Sequence, residues 1–199
     1  MQGGHMLRFT LTQNYRQAAA DLARDMAAFA SAPERWAVIP VLNENLWDES
    51  DNNNCYNFAM DRCTRDFMQP GELSGAWQYA SSDLSVDVHN GALADGAVYL
   101  GASILNCPAD RWPVALFLGH HRAGDFDWMT VRKTPNPNVP QRLVWCGKNG
   151  DAGPSVVVGG ETIFQIAEDH DLPYFAGYYG FSPDMTARPR HQPPGCRFR

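Results

Sequence analysis

The segment Asn53-Asn54-Cys55-Tyr56-Asn57-Phe58-Ala59 sets a thiol immediately behind a polar run, Asp48 to Asn54, that offers several helix caps. A cysteine in the first turn of a helix meets unpaired backbone N–H groups and a partial positive charge, both of which favour the thiolate. That is the setting of a cysteine nucleophile. The same residue is equally at home as a small apolar packing group, because free cysteines are commonly buried. What separates the two roles is a base.

Two histidines compete for that part. His120 and His121 sit in Gly119-His120-His121-Arg122-Ala123-Gly124, a link of hairpin composition, with Asp127 close behind. A carboxylate that accepts one imidazole N–H fixes the tautomer and stabilises the imidazolium, so Cys55, His121 and Asp127 make a triad by role. The distance along the intervening strand counts against it. Six residues rise about 20 Å, so a base at the far end of the Val114–Leu118 run reaches the thiol only if the nucleophile helix meets that end. His89, in Val86-Asp87-Val88-His89-Asn90, is the second candidate, with Asp87 on the same side of an extended segment. His170 lies among Glu168, Asp169 and Asp171, a composition typical of solvated loops, and no metal or cofactor is expected. The glycines show neither GxGxxG nor GxxxxGK[ST] spacing.

The elements that must position these groups divide the chain in two. Leu22, Met26 and Phe29, with Ala18, Ala19 and Ala23, recur at helical spacing from Asn14 to Ala30, which predicts an amphipathic helix capped by Thr12 or Asn14. Phe58, Ala59, Cys63 and Phe67 predict a second helix running from Cys55 to the stop signal Gln69-Pro70-Gly71. After that the period changes. Ala97–Gly101, Pro113–Leu118, Phe126–Val131 and Leu143–Cys146 are short apolar runs bounded by turn residues and read as antiparallel strands. Glu161–Glu168 is a candidate helix, and Tyr174–Phe181 is a dense aromatic patch. Helices followed by strands predict an α+β fold, N-terminal helices packed on an antiparallel sheet.

Composition narrows the function classes. The chain has 199 residues, 44% hydrophobic and 19% charged, enough for one core and one domain over residues 7–186. Residues 1–6 read as a cloning remnant, and residues 187–199 form an Arg/Pro-rich tail. A net charge of −6 speaks against nucleic acid as a partner. The five cysteines, Cys55, Cys63, Cys107, Cys146 and Cys196, contain no close CxxC pair and are expected to be reduced. On one shared helix, Cys55 and Cys63 would stand about 12 Å apart, too far for a disulfide. No apolar run approaches the roughly 20 residues of a membrane span, and the N-terminus lacks the apolar core of a cleaved signal, so a soluble protein is expected.

The motifs around Cys55 resemble those of the papain-like superfamily of NlpC/P60-type cysteine amidohydrolases. More narrowly, the chain is similar to a group of bacterial and phage proteins with an Asn-Cys-Tyr-Asn-Tyr-Ala helix start followed by Gln-Pro-Gly. Those motifs stand here as Asn54-Cys55-Tyr56-Asn57-Phe58-Ala59 and Gln69-Pro70-Gly71. The group continues with a Val-Ala-Leu strand, an Asp-Tyr-His-Trp-Tyr-Arg strand and Trp-Ser-His-Lys-Pro-Gly. Here these read Val114-Ala115-Leu116, Asp125-Phe126-Asp127-Trp128-Met129 and Trp145-Cys146-Gly147-Lys148-Asn149-Gly150. The resemblance implies a papain-like fold with Cys55 as nucleophile. It departs where the chemistry needs it most, because Trp112-Pro113 replaces the strand-start histidine, Asp127 stands for the group's next histidine, and Cys146-Gly147 stands for Ser-His.

Two functions follow. In the first, Cys55 attacks an amide carbonyl, His121 or His89 carries the proton, Asp127 orients the imidazole, and helix N–H groups hold the oxyanion. The substrate is then a peptide, a peptidoglycan stem or a protein side-chain amide, with Tyr56, Trp112, Trp128 and Trp145 lining its groove. In the second, the scaffold is catalytically inactive and binds a host or virion partner through that same aromatic groove.

Overall fold

Every residue from Trp112 to Leu118 is buried. Side chains alternate across a sheet, so a strand can hide all of them only when both of its faces are covered. The protein is described by a computed structural model over residues 9–48, 53–64, 66–77, 84–119, 126–135, 141–148, 154–157 and 160–185. Its elements run β1 (Phe9–Thr10), α1 (Leu11–Ala30), α2 (Glu44–Asp48), α3 (Cys55–Ala59), α4 (Leu84–Ala94), β2 (Val98–Gly101), β3 (Trp112–Leu118), β4 (Phe126–Lys133), β5 (Leu143–Lys148), β6 (Pro154–Val157), α5 (Gly160–Asp169) and β7 (Tyr174–Phe181). The class is α+β. The strands make one antiparallel sheet in the order β1-β7-β3-β4-β5-β6, with β2 also paired to β7.

Helices cover both faces. Phe117 of β3 and Phe175 of β7 are register partners, and both pack on Phe164 of α5, with ring centroids 5.6 and 5.4 Å away. Helix α1 lies against α5. Trp128 and Arg132 of β4 project from the opposite face, where they meet Tyr56 and Phe58 of α3. Helix α4 joins them there through His89, which packs on Tyr179, itself in contact with Trp128. The aromatic patch at 174–181 is thus strand β7, which holds β1, β2 and β3 together. Gly177 within it has φ +115°, and a Cβ there would stand 2.7 Å from the Tyr99 ring that covers it, so the position takes only glycine. No helix among the described residues is long and apolar enough to cross a membrane.

Three sequence expectations change. Helix α1 begins at Leu11, which puts Thr12 and Asn14 inside it rather than at its cap. The helix that opens at Cys55 closes after Ala59 instead of continuing to Phe67. Asp61 adopts φ +58°, the Arg62 N–H donates to the Asn57 carbonyl at 2.9 Å, and the Asp61 N–H donates to that of Phe58 at 3.0 Å. This is a Schellman ending, and it leaves Cys63 and Phe67 exposed and off the helix. Segment 86–90, read as extended, belongs to α4. Two positions apart on a helix point about 200° apart, so Asp87 and His89 do not share a side.

Asparagines build the start of α3. Asn54 Oδ1 accepts from the N–H groups of Tyr56 and Asn57, both at 3.1 Å, while Asn57 Oδ1 accepts the Asn54 N–H at 3.1 Å. Asn57 Oδ1 also accepts the Met68 N–H at 3.0 Å, and its amide donates to Thr64 Oγ1 at 2.8 Å. Asn53 Oδ1 accepts the Thr64 N–H at 2.8 Å. Asn53 and Asn57 therefore clamp Thr64 and Met68 onto the helix. In urea unfolding, Asn54→Ala is expected to lower stability by about 1–2 kcal/mol, a capping loss. Asn57→Ala strands several buried partners at once and is expected to cost about 3 kcal/mol or more.

Candidate functional site

Cys55 is the first helical residue of α3 and is almost fully buried. Its thiol points at the Phe126 carbonyl, 4.0 Å away, at the end of the sheet where β3 leads into β4. The Asp127 carboxyl lies beside it, and the Trp128 N–H serves both groups. Burial pushes the Cys55 thiol well above its ordinary pKa and the Asp127 charge pushes it further, while the amides of Trp128 and Tyr56 act in the opposite sense without offsetting them. Burial likewise raises Asp127 to about 7, against the opposing effect of the thiol and the Trp128 amide. Asp127 Oδ1 is buried with no hydrogen-bond partner. The pair is therefore a neutral thiol next to a carboxyl that titrates near neutrality, and a carboxylate at that place repels a thiolate. This is the reverse of the electrostatics expected from the helix start.

The cap itself removes part of the expected oxyanion site. The Tyr56 and Asn57 amides are held by Asn54 Oδ1 and the Phe58 amide by the Asn54 carbonyl, so of the first-turn amides only that of Cys55 is unclaimed by the cap. Gly147 on β5 completes the surroundings. A Cβ at this position would lie 3.8 Å from Asp127 Oδ2 and 3.5 Å from Met129 Cγ, ordinary contacts, so a side chain here would stand over the carboxyl.

The sequence candidates part company. Cys55 and Asp127 come together, though Asp127 meets the thiol itself rather than orienting an imidazole. His89 does not join them. Its Nδ1 lies 2.7 Å from the Tyr179 hydroxyl, its ring packs edge-on against Tyr99, and burial lowers its pKa. His120 and His121 lie outside the described residues. The condition set for His121 is nevertheless met on the strand side, since the thiol faces the end of the sheet that carries the 119–125 link. The opposite end of β3 holds Trp112, whose Nε1–H donates to the Ala59 carbonyl at 3.0 Å, under the far end of α3.

The aromatic groove is corrected by burial. Tyr56, Trp112, Trp128 and Trp145 are each at most 1% exposed, so they form the core instead of lining a groove. Tyr56 donates to Asp95 Oδ2 at 2.8 Å, and the same carboxylate accepts the Gly71 and Ser74 amides at 2.7 and 2.8 Å. Sequence reading also missed Arg132. Its fully buried guanidinium donates to the Phe58 carbonyl, pairs with Asp61 and lies 4.5 Å from the Phe58 ring centroid. The signal was present in the alternation of β4, which places position 132 on the same face as Trp128. Among the described residues no three His, Cys, Asp or Glu side chains gather as a metal site would require.

Comparisons with family models, with curated proteins and with solved structures return no match.

Asp127 gives the site a pH signature. The folded protein holds its proton up to about pH 7, whereas the ordinary value is 3.8. Below about pH 4 both states are protonated and the group costs nothing; as pH rises to 7 only the unfolded chain releases the proton, so stability falls. The span corresponds to something on the order of 4 kcal/mol. Asp127→Asn is expected to remove this slope and to be more stable than the wild type at pH 8, as read by urea unfolding at pH 4.5 and 8.

Proposed function

We propose that the chain is a catalytically inactive papain-like, NlpC/P60-type scaffold, a binding protein whose partner surface lies elsewhere than at the buried aromatics. The observation carrying this reading is the Asp127 carboxyl beside the buried Cys55 thiol. The group that the sequence resembles has histidine at the positions of Asp127 and Gly147, of which the first lies beside the sulfur and the second next to the Asp127 carboxyl. An imidazole there would accept the thiol proton and become a cation beside the thiolate. A carboxylate that accepts the same proton leaves a neutral acid with no compensating charge, and before the transfer it opposes ionisation. The amides committed to Asn54 further support a scaffold whose helix start is structural.

A second reading has one observation in its favour. The thiol faces the end of β3 and β4 from which His120 and His121 depart in sequence. If His121 is the base, the chain is a cysteine amidohydrolase acting on a peptide, a peptidoglycan stem or a protein amide.

Iodoacetamide labelling from pH 5 to 9, resolved by peptide mapping, separates the two. Under the binding reading, exposed Cys63 labels first, Cys55 labels slowly up to pH 9, and His121→Ala changes nothing. Asp127→His, which restores an imidazole beside the sulfur, is expected to speed Cys55 labelling at pH 7 by about tenfold or more. Rapid labelling of wild-type Cys55 below pH 7, lost in His121→Ala, would establish the hydrolase reading instead.

A further inference from the structure

A cleft of about 540 Å³ opens at the opposite end of α3 from the thiol, lined by Val41, Leu42, Asn43, Glu44, Leu46, Trp47, Asp61 and Pro135. Val41 and Leu46 are 44% and 47% exposed, large apolar side chains among its lining. Asp61 lines it next to the Schellman ending, paired with Arg132 yet still 42% exposed at its side chain. Glu44 supplies a second carboxylate, and the sequence from the last residue of α2 onward continues the acidic character as Asp48-Glu49-Ser50-Asp51. The surface is thus apolar with an acidic border, suited to a segment that alternates prolines with cations.

Such a segment is present in the same chain. Residues 187–199 read Ala-Arg-Pro-Arg-His-Gln-Pro-Pro-Gly-Cys-Arg-Phe-Arg, with four of the 16 basic residues and none of the 22 acidic ones, so the remainder carries a net −10. The last described residue before this tail, Met185, is tied to the chain next to Asp61. Arg62, the neighbour of Asp61, donates to the carbonyl of Met185, which is buried. Arg188 and Arg190 follow three and five residues later, within about 10 and 17 Å of extended chain. Proline-rich segments occupy the polyproline II conformation before they bind, which lowers the entropic cost of docking them into an apolar groove.

We propose that the cleft beside α2 is a recognition site for an Arg/Pro-rich segment, occupied in cis by the tail at 187–199 of this chain. Arg188 or Arg190 meets Glu44 and Asp61, and the prolines lie on Val41, Leu46 and Pro135. The site is separated from Asp127 by the length of β4 to Arg132, about 17 Å, so the proposal stands whichever way Cys55 behaves.

Amide exchange of the full-length chain, read by mass spectrometry over residues 42–47, tests it. Arg188→Glu with Arg190→Glu is expected to speed exchange there by about fivefold or more, the factor given by a tail docked about four-fifths of the time. Glu44→Arg should do the same, and combining it with the two tail substitutions should restore slow exchange. The tail substitutions lie outside the described elements, so they decide the question even if Glu44→Arg perturbs the fold. Equal exchange rates in the wild type and the tail variant overturn the proposal. Protection that grows with protein concentration also overturns it, since the tail would then come from a second copy.

Discussion

A helix of five residues buried on all sides has almost no hydrogen bonds of its own. Helix α3 is such an element: all of Cys55–Ala59 is buried, and an α-helix leaves four N–H groups at its start and four carbonyls at its end unpaired. Nearly every backbone group in it must therefore find a partner elsewhere, and much of the fold can be understood as supplying them. Asn54 and Asn57 serve the N–H end, Arg132 reaches the Phe58 carbonyl from β4, and Trp112 reaches the Ala59 carbonyl from β3. An unpaired buried group costs about 1–3 kcal/mol, so losing several would exceed a typical margin of stability. The cost explains why a cation is tolerated in the core. Arg132 is desolvated enough for burial to lower its pKa, with Asp61 acting against this, yet it closes one helix end that no apolar residue could close.

The same accounting explains the character of the thiol. The Tyr56 and Asn57 amides, which would favour a thiolate at a solvated helix start, are bonded to an asparagine, and what the Tyr56 and Trp128 amides still do for the sulfur is outweighed by low dielectric and a neighbouring acid. Helix position alone does not determine the reactivity of a cysteine. What decides it is which groups compete for the first-turn amides and what charge stands opposite the sulfur. In this site both answers favour S–H. Asp127 bears part of the cost, since it keeps its own proton to near neutrality and holds one oxygen without a partner.

Much of the sheet was legible in the sequence because β3, β4 and β5 are apolar runs ended by turn residues, and that signal depends on local composition. Helix α1 was legible for a similar reason, its apolar stripe being long and regular. The end of α3 was not. Phe58, Cys63 and Phe67 match a helical period, but the left-handed Asp61 that breaks it is set by its tertiary partner Arg132 as much as by its own preference. Strand β7 was hidden by its aromatics, which suggest a surface for a ligand as readily as a core. Only the sheet order shows Tyr178 and Tyr179 to be interior. The identity of the group facing Cys55 was legible in part: Asp127 was named, whereas its direct contact with sulfur depends on how α3 meets the strand end, a distance no local pattern encodes.

Strand β7 comes late in the sequence and lies in the middle of the sheet. Until residues 174–181 have left the ribosome, β1 and β2 have no partner and one edge of β3 is bare, although β3 and β4 can already form a hairpin. The nascent chain must therefore wait, with an apolar edge exposed, for most of its length to be made. Closure then joins residues more than 160 positions apart, as in the pairing of Phe9 with Phe175. Topology of this kind slows folding and lengthens the time during which bare edges can pair wrongly. The aromatic density of β7 has a kinetic meaning in that light: the strand that arrives late buries enough surface to capture three waiting partners in one step.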